Sequence, residues 1–359
     1  MKKYYIGVMS GTSLDGIDLS LCHIGPKICK LVSSLEYSFD KKLKAQIISI
    51  ISSQTIVKEI GEVDKKLGLL YAKSIQAFMK TNNLNKNDIE AIGLHGQTIW
   101  HQPNSKYPFS MQLGDPNSVV VQTGIKVVCD FRGMDVALGG EGAPFAPAFH
   151  HFLFSGVSKK RAVVNIGGMA NITLFDKKLK GWDSGCGNIL LDLNIQNSKG
   201  KRYDKNGRFA KSGKLDIKLL KSMLKDSYFK KNPPKSTGRE YFNQQWLDKY
   251  TIGFNIKPKD LQRTLVELTA QTIADGIKNK NIDELIVCGG GVKNNFLMKR
   301  LSSLCSAKII SSDDIGVSSD FMESMAFAWL AYKRLNNEVV KLSSVTGAKK
   351  DTFLGAIYG

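Results

Sequence analysis

Ile6-Gly7-Val8-Met9-Ser10-Gly11-Thr12-Ser13-Leu14-Asp15-Gly16-Ile17-Asp18 begins as a buried apolar strand, passes through a turn of glycine and hydroxyl residues, and returns to apolar chain at Ile17. Such a turn exposes backbone N–H groups and small side-chain donors that can surround phosphate oxygens. Asp15 and Asp18 flank it, where carboxylates can orient a hydrated magnesium ion. The competing reading is an ordinary hairpin turn. The stretch is neither a P-loop nor a GxGxxG turn, which argues against those nucleotide-binding classes.

Working outward, Tyr4–Met9, Ile17–Ile24 and Lys30–Phe39 read as three strands of a meander, followed by helical periodicity over Leu43–Ile51 and Val57–Lys80. Ile89–Leu94 reads as a short strand leading into Gly96. A second segment repeats the opening layout: strand Arg161–Ile166, turn Gly167-Gly168, strand Ala170–Phe175. A third glycine turn, Gly289-Gly290-Gly291, follows the strand Leu285–Cys288 and precedes a helix over Asn295–Cys305. The last helix, Met322–Leu335, carries Ala326, Ala328 and Ala331, expected to permit close packing between lobes. This layout predicts an α/β, two-lobed actin/hexokinase/Hsp70-like (ribonuclease H-like) fold with a nucleotide cleft between the lobes. The expected division is 1–130 plus about 336–359 for the N-terminal lobe and 131–335 for the C-terminal lobe.

The length of 359 residues exceeds the usual single-domain range, and 42% hydrophobic with 23% charged residues is ordinary globular composition. The formal charge of +19 does not read as a nucleic-acid surface. Eight of the 51 basic residues are arginines, and the other 43 are lysines scattered along the chain. The excess positive field would instead assist encounter with anionic substrates. The six cysteines form no CxxC pair, the N-terminal apolar run is too short for a signal peptide, and no stretch approaches a membrane span, so a soluble cytoplasmic protein without a membrane partner is expected.

The opening block resembles the signature of the anhydro-N-acetylmuramic acid kinase family, and further blocks resemble that family in order along the chain. They are Gly93–His101, Asp130-Phe131-Arg132 with Ala137–Pro144, Asn165–Asn171, Asp183–Asn188, Pro234–Asn243, Cys288–Gly291 with Asn294, and Ser344–Ala348. The resemblance implies ATP-dependent phosphorylation of 1,6-anhydro-N-acetylmuramic acid on its 6-oxygen with hydrolytic opening of the anhydro bridge, in recycling of cell-wall sugars. ATP and Mg2+ are the implied cofactors, and a homodimer is the implied assembly.

Carried onto this sequence, the resemblance makes Asp183 the general base, with a turn-capping aspartate as the alternative. The nucleotide would meet Gly11, Thr12, Ser13, Leu14, Asp15, Gly16, Ile17 and Asp18, then Gly167, Gly168, Gly289, Gly290, Gly291 and Asn294. Asp15 and Asp18 are the metal candidates, since Met9 stands where many relatives of the wider superfold carry an aspartate. Arg132 suits the lactyl carboxylate or a structural ion pair, and Glu323 a sugar contact or a helix N-terminus. His95 and Gln97, with His101, suit sugar contacts or a satisfied buried turn. Ser184 and Cys186 stand where the family usually has threonine and proline. Serine keeps the hydroxyl, and losing proline removes a constraint from the turn. The alternatives to this reading are a kinase for another amino sugar, a non-enzymatic nucleotide-switched module and a nucleic-acid binder.

Overall fold

Apolar residues alternating along the first 25 positions build the first sheet of the computed structural model, which describes residues 3–11, 14, 16–176, 178–233 and 235–359. The chain divides into two compact units, Met1–Leu153 with Phe321–Gly359 and Phe154–Asp320.

In the first unit, β1 (Tyr4–Ser10), β2 (Ile17–Gly25) and β3 (Ile28–Tyr37) form the antiparallel meander. Strand β4 (Ile89–Gln102) lies parallel to β1, β5 (Phe109–Leu113) folds back on its far end, and β6 (Val127–Cys129) lies parallel on its outer side. The C-terminal strand Ala356–Tyr358 closes the edge antiparallel to β6. Strand β4 is longer than the expected Ile89–Leu94 because Gly96, at φ +77°, lets the chain bend without leaving the sheet. Ile6, Val8, Ile17 and Leu19 share a core with Leu67, Tyr71, Ile75 and Phe78 of the helix Val57–Thr81.

The opposite face is covered by the helix Met322–Leu335, which lies directly on backbone. A Cβ on Gly7 would overlap the carbonyl oxygen of Ser324, and one on Gly93 that of Phe327. Phe131 and Phe145 pack on Phe327, and Phe149 on Trp329. These contacts place residues 131–153 and 321–335 in the first unit rather than in the second, where the expected boundaries had them. The alanines of this helix serve helix-on-sheet packing inside that unit.

In the second unit, β7 (Arg161–Ile166), β8 (Met169–Phe175) and β9 (Leu179–Cys186) form another antiparallel meander. Strands β10 (Glu284–Cys288) and β11 (Lys308–Ser311) continue parallel from β7. The order β11-β10-β7-β8-β9 repeats β6-β4-β1-β2-β3 strand for strand and direction for direction. Each unit is therefore ribonuclease H-like, as the strand-turn-strand echo predicts. The buried helix Pro258–Ile277 supports the second sheet through Leu265, Leu268 and Ile273.

Gly7→Ala is expected to lower unfolding free energy by about 1–3 kcal/mol or more, because the helix must lift off the sheet to admit a methyl group. Denaturant titration measures this, and an unchanged midpoint would show that the helix is not fixed by that contact.

Candidate functional site

In the first unit, the predicted substrate residues are brought together where β4 passes the β1–β2 turn. His95 is buried, and its Nε2 lies 3.0 Å from Nη2 of Arg132. Burial, reinforced by the Arg132 charge, pushes the His95 pKa down to about 3. The ring is thus neutral, and because guanidinium only donates, Nε2 accepts and Nδ1 carries the proton. Its face rests on Phe327, with ring centroids 4.6 Å apart. Burial also pushes Arg132 down to about 10, opposed by the nearby Glu323 charge, and Phe145 lies against its guanidinium at 5.6 Å. Glu323 is open to solvent, yet the surrounding protein strips enough hydration to raise its carboxyl pKa, with Arg132 opposing. Gln97 is fully buried and donates to the carbonyl oxygens of Gly11 at 3.4 Å and Thr98 at 3.2 Å.

Buried polar atoms normally find partners, so the exceptions are informative. Among the described residues, the buried side-chain atoms without a hydrogen-bond partner include His95 Nδ1, Gln97 Oε1 and Arg132 Nε, together with Thr237 Oγ1 in the other unit. His101 is not part of this group; it sits at the exposed end of β4 with Nδ1 2.9 Å from Ser110 Oγ.

The glycine turn is only partly visible in its geometry. Thr12, Ser13 and Asp15 lie outside the described residues. Leu14 is buried at φ +55°, a left-handed conformation that costs a leucine roughly 1–2 kcal/mol and marks the turn as constrained. Its N–H donates to the Gly11 carbonyl at 3.2 Å. Gly16 packs against Tyr37, Ile17 is buried in the core, and Asp18 opposes Met9 and Glu36 on β2. Among the described residues, no three His, Cys, Asp or Glu side chains converge as a metal cluster.

In the second unit, Asp183 stands on β9 beside its cross-strand partner Asn171 rather than in a turn. A β-bulge at this point leaves Ser184 as the extra residue, a device that re-aims side chains beside functional groups. Asp183 Oδ1 accepts from Asn171 Nδ2, and Oδ2 accepts from Thr237 N–H at 2.8 Å and Ser236 Oγ at 3.3 Å. Its own N–H donates to the Lys235 carbonyl at 3.0 Å, and its carbonyl accepts from Tyr228 Oη at 2.8 Å. The side chain is 8% exposed, and burial raises its pKa while the three donors restrain the rise. The end of β9 is tied down by Thr269, whose Oγ1 lies 3.2 Å from the Cys186 carbonyl oxygen and 3.0 Å from that of Gly187.

A cavity of about 510 Å³ opens beside the third glycine turn, with Asn188, Asp192, Tyr203, Lys205, Gly290 and Asn294 in its wall. That volume suits a nucleoside-sized ligand. Of the predicted nucleotide residues, Gly290 and Asn294 line it. Gly289, at φ +79°, and Gly291 instead let the turn press against Asn165 and Ile166. Gly167 and Gly168 adjoin it: their carbonyls accept from the N–H groups of Asn188 and Gly187 at 2.8 Å. Asn294 also caps the helix Asn295–Leu304. Asp192, Tyr203 and Lys205 escaped the sequence reading, since no glycine or repeated pattern marks them. Burial pushes the Asp192 carboxyl up to about 7, with Arg239 opposing.

Two ribonuclease H-like units in tandem define the actin/hexokinase/Hsp70 class of folds. Within that class the chain belongs to the anhydro-N-acetylmuramic acid kinase family, whose model matches residues 3–359. It is 53% identical over 367 residues to the anhydro-N-acetylmuramic acid kinase of Sulfurimonas denitrificans, covering 100% of both chains. It is 50% identical to that of a Sulfurovum species, covering 99% of each chain. The corresponding Pasteurella multocida protein is 47% identical, with 99% of this chain and 96% of that one covered.

Two outcomes follow. Because folding keeps Asp192 protonated up to about pH 7, the folded state binds the extra proton above the ordinary carboxylate pKa, and stability falls as pH rises through that window. Asp192→Asn is therefore expected to raise the thermal midpoint by roughly 2–4 °C near pH 8. The gain should vanish near pH 4; a gain independent of pH would contradict it. Removing a donor from Asp183 should raise its pKa further, so an NMR titration of the Asp183 carboxyl is expected to place its midpoint about 0.5–1 pH unit higher in Asn171→Ala than in the wild type. A downward shift or none would contradict that.

Proposed function

We propose that this chain uses ATP to phosphorylate the 6-oxygen of 1,6-anhydro-N-acetylmuramic acid while water opens the anhydro bridge, giving N-acetylmuramic acid 6-phosphate in recycling of cell-wall sugars. The observation that carries this reading is Asp183, a carboxylate 8% exposed, fixed by three donors and raised in pKa, which suits a general base near neutral pH. Water adds to the anomeric carbon and gives its proton to Asp183 as the bond from that carbon to the 6-oxygen breaks. The freed 6-oxygen takes the γ-phosphoryl group, and ADP leaves.

Arg132 pairs with the lactyl carboxylate of the sugar, its Nε being unpaired in the protein. His95 Nδ1–H and Gln97 Oε1 supply a donor and an acceptor toward sugar polar groups, and Glu323 adds a solvent-open carboxylate beside Arg132. In the first unit the 11–18 turn suits phosphate oxygens; in the second the Gly167-Gly168 turn suits phosphate and the cavity at Gly290 and Asn294 suits the nucleoside. Magnesium bound with ATP would neutralise phosphate charge, and Asp18, with Asp15, would help to hold it. The reading carries with it a cytoplasmic homodimer, which sedimentation of the purified chain tests.

Mass spectrometry of the product formed in oxygen-18 water tests the chemistry. The expected product carries one heavy oxygen and one phosphoryl group, and Asp183→Asn should lower kcat by about 10²–10⁴-fold. Full activity in Asp183→Asn would place the base elsewhere, and a phosphorylated product without heavy oxygen would remove the ring-opening step.

A further inference from the structure

A second cavity in the Phe154–Asp320 unit, about 550 Å³ in volume, lies behind the strand that carries Asp183. Lys180 and Trp182 of β9 face it, and side chains alternate along a strand, so Asp183 points to the opposite face. The cavity is thus separate from the site described above. Trp182 and Phe229 supply aromatic surface, and six of the fifteen described lining residues are lysines, against 43 lysines in 359 residues overall. Scattered lysines would not concentrate in this way. Asp275 is the acidic residue among those lining it.

Lys231 and Lys235 repel each other there. Lys180 pairs with Asp176 at 3.3 Å, but among the described residues none of Lys230, Lys231, Lys235, Lys278 and Lys280 has a carboxylate within ion-pair distance. Lys235 is half-buried, and its ammonium pKa is lowered by burial and then by Lys231. A cluster of like charges gathered over aromatic surface is stabilised by an anion placed among them.

The same lysines touch the support of Asp183. Lys231 and Lys235 place their ammonium groups 5.9 Å and 4.8 Å from the ring centre of Tyr228, whose hydroxyl holds the Asp183 carbonyl. The Lys235 carbonyl accepts from Asp183 N–H, and two residues on, Thr237 N–H binds the carboxylate itself. An anion that draws Lys231 and Lys235 toward the cavity shifts these groups together.

We propose that this cavity binds a phosphorylated small molecule with a flat apolar body, its phosphate among Lys231, Lys235 and Lys278, and that occupancy changes turnover through Tyr228 and the 235–237 segment. The binding half stands on the cavity alone. The turnover half rests on Asp183 acting in the reaction.

The probe is 1-naphthyl phosphate, titrated into the intact chain with saturating ADP and compared with inorganic phosphate and 1-naphthol. The phosphate ester is expected to bind more tightly than either part. Lys231→Gln/Lys278→Gln should weaken it by about tenfold or more, while Lys41→Gln/Lys42→Gln, which removes the same charge elsewhere, should not. Each protein is compared with itself: adding the probe should change the rate of the wild type, whereas Lys231→Gln/Lys278→Gln should keep the rate it has without the probe. Equal weakening by both double variants, or none by either, would reduce the effect to net charge and overturn the site. Binding that depends on Lys231 and Lys278 but leaves wild-type turnover unchanged would overturn the coupling and leave the Asp183 assignment untouched.

Discussion

The first unit depends on a helix lying directly on backbone. Side chains on β1 and β4 would hold the helix Met322–Leu335 away from the sheet, and Gly7 and Gly93 remove that obstacle. The approach lets Ser324 meet Ser20 at 2.5 Å and places Phe327 beneath the His95 ring. It also sets the first turn of the helix, with Glu323, within electrostatic reach of Arg132. Three of the four residues assigned to the sugar, His95, Arg132 and Glu323, thus take their places from contacts that two missing side chains allow.

The second unit repeats the topology but uses a different part of it. Its meander ends in an edge strand, and that edge holds a carboxylate on the bulge, supported by a segment more than 40 residues further along the chain. Burying a carboxylate is costly unless donors compensate, and Asp183 has three. Asp192, beside the nucleoside-sized cavity, shows what happens with weaker compensation: its proton stays on until about pH 7. Both acids lie where a ligand is expected, in keeping with the tendency of perturbed groups to collect at functional sites.

Apart from β4, whose course beyond Gly96 was missed, the strands that alternate apolar residues around glycine turns were legible within one or two residues, because burial on a pleated sheet writes a period of two into the chain. Strand β9 was not. Leu179-Lys180-Gly181-Trp182-Asp183-Ser184 lacks that alternation and is held in the sheet by pairing with β8. The helix Pro258–Ile277 was also obscure, since Gln262, Thr264, Glu267 and Thr269 interrupt its apolar stripe although all are buried. Glu267 is admitted there by Arg300 and Arg263, and neither partner can be inferred from local sequence. The helix Met322–Leu335 was legible as a helix, but small residues announce a close neighbour without identifying it. The same limit applies to the site: Asp183, His95, Gln97 and Arg132 stood out by resemblance, whereas Thr237 and Asp192 acquire meaning only from what surrounds them.

Cys186, three residues from Asp183, has a further consequence. It is 1% exposed, and burial pushes its thiol pKa up to about 12. Oxidants and alkylating agents attack the thiolate, so a thiol held protonated and out of reach is chemically silent. Cys186 thus adds a sulfur three residues from Asp183 without adding a point of oxidative attack. Thiol-directed reagents that inactivate this protein would therefore have to act at another cysteine.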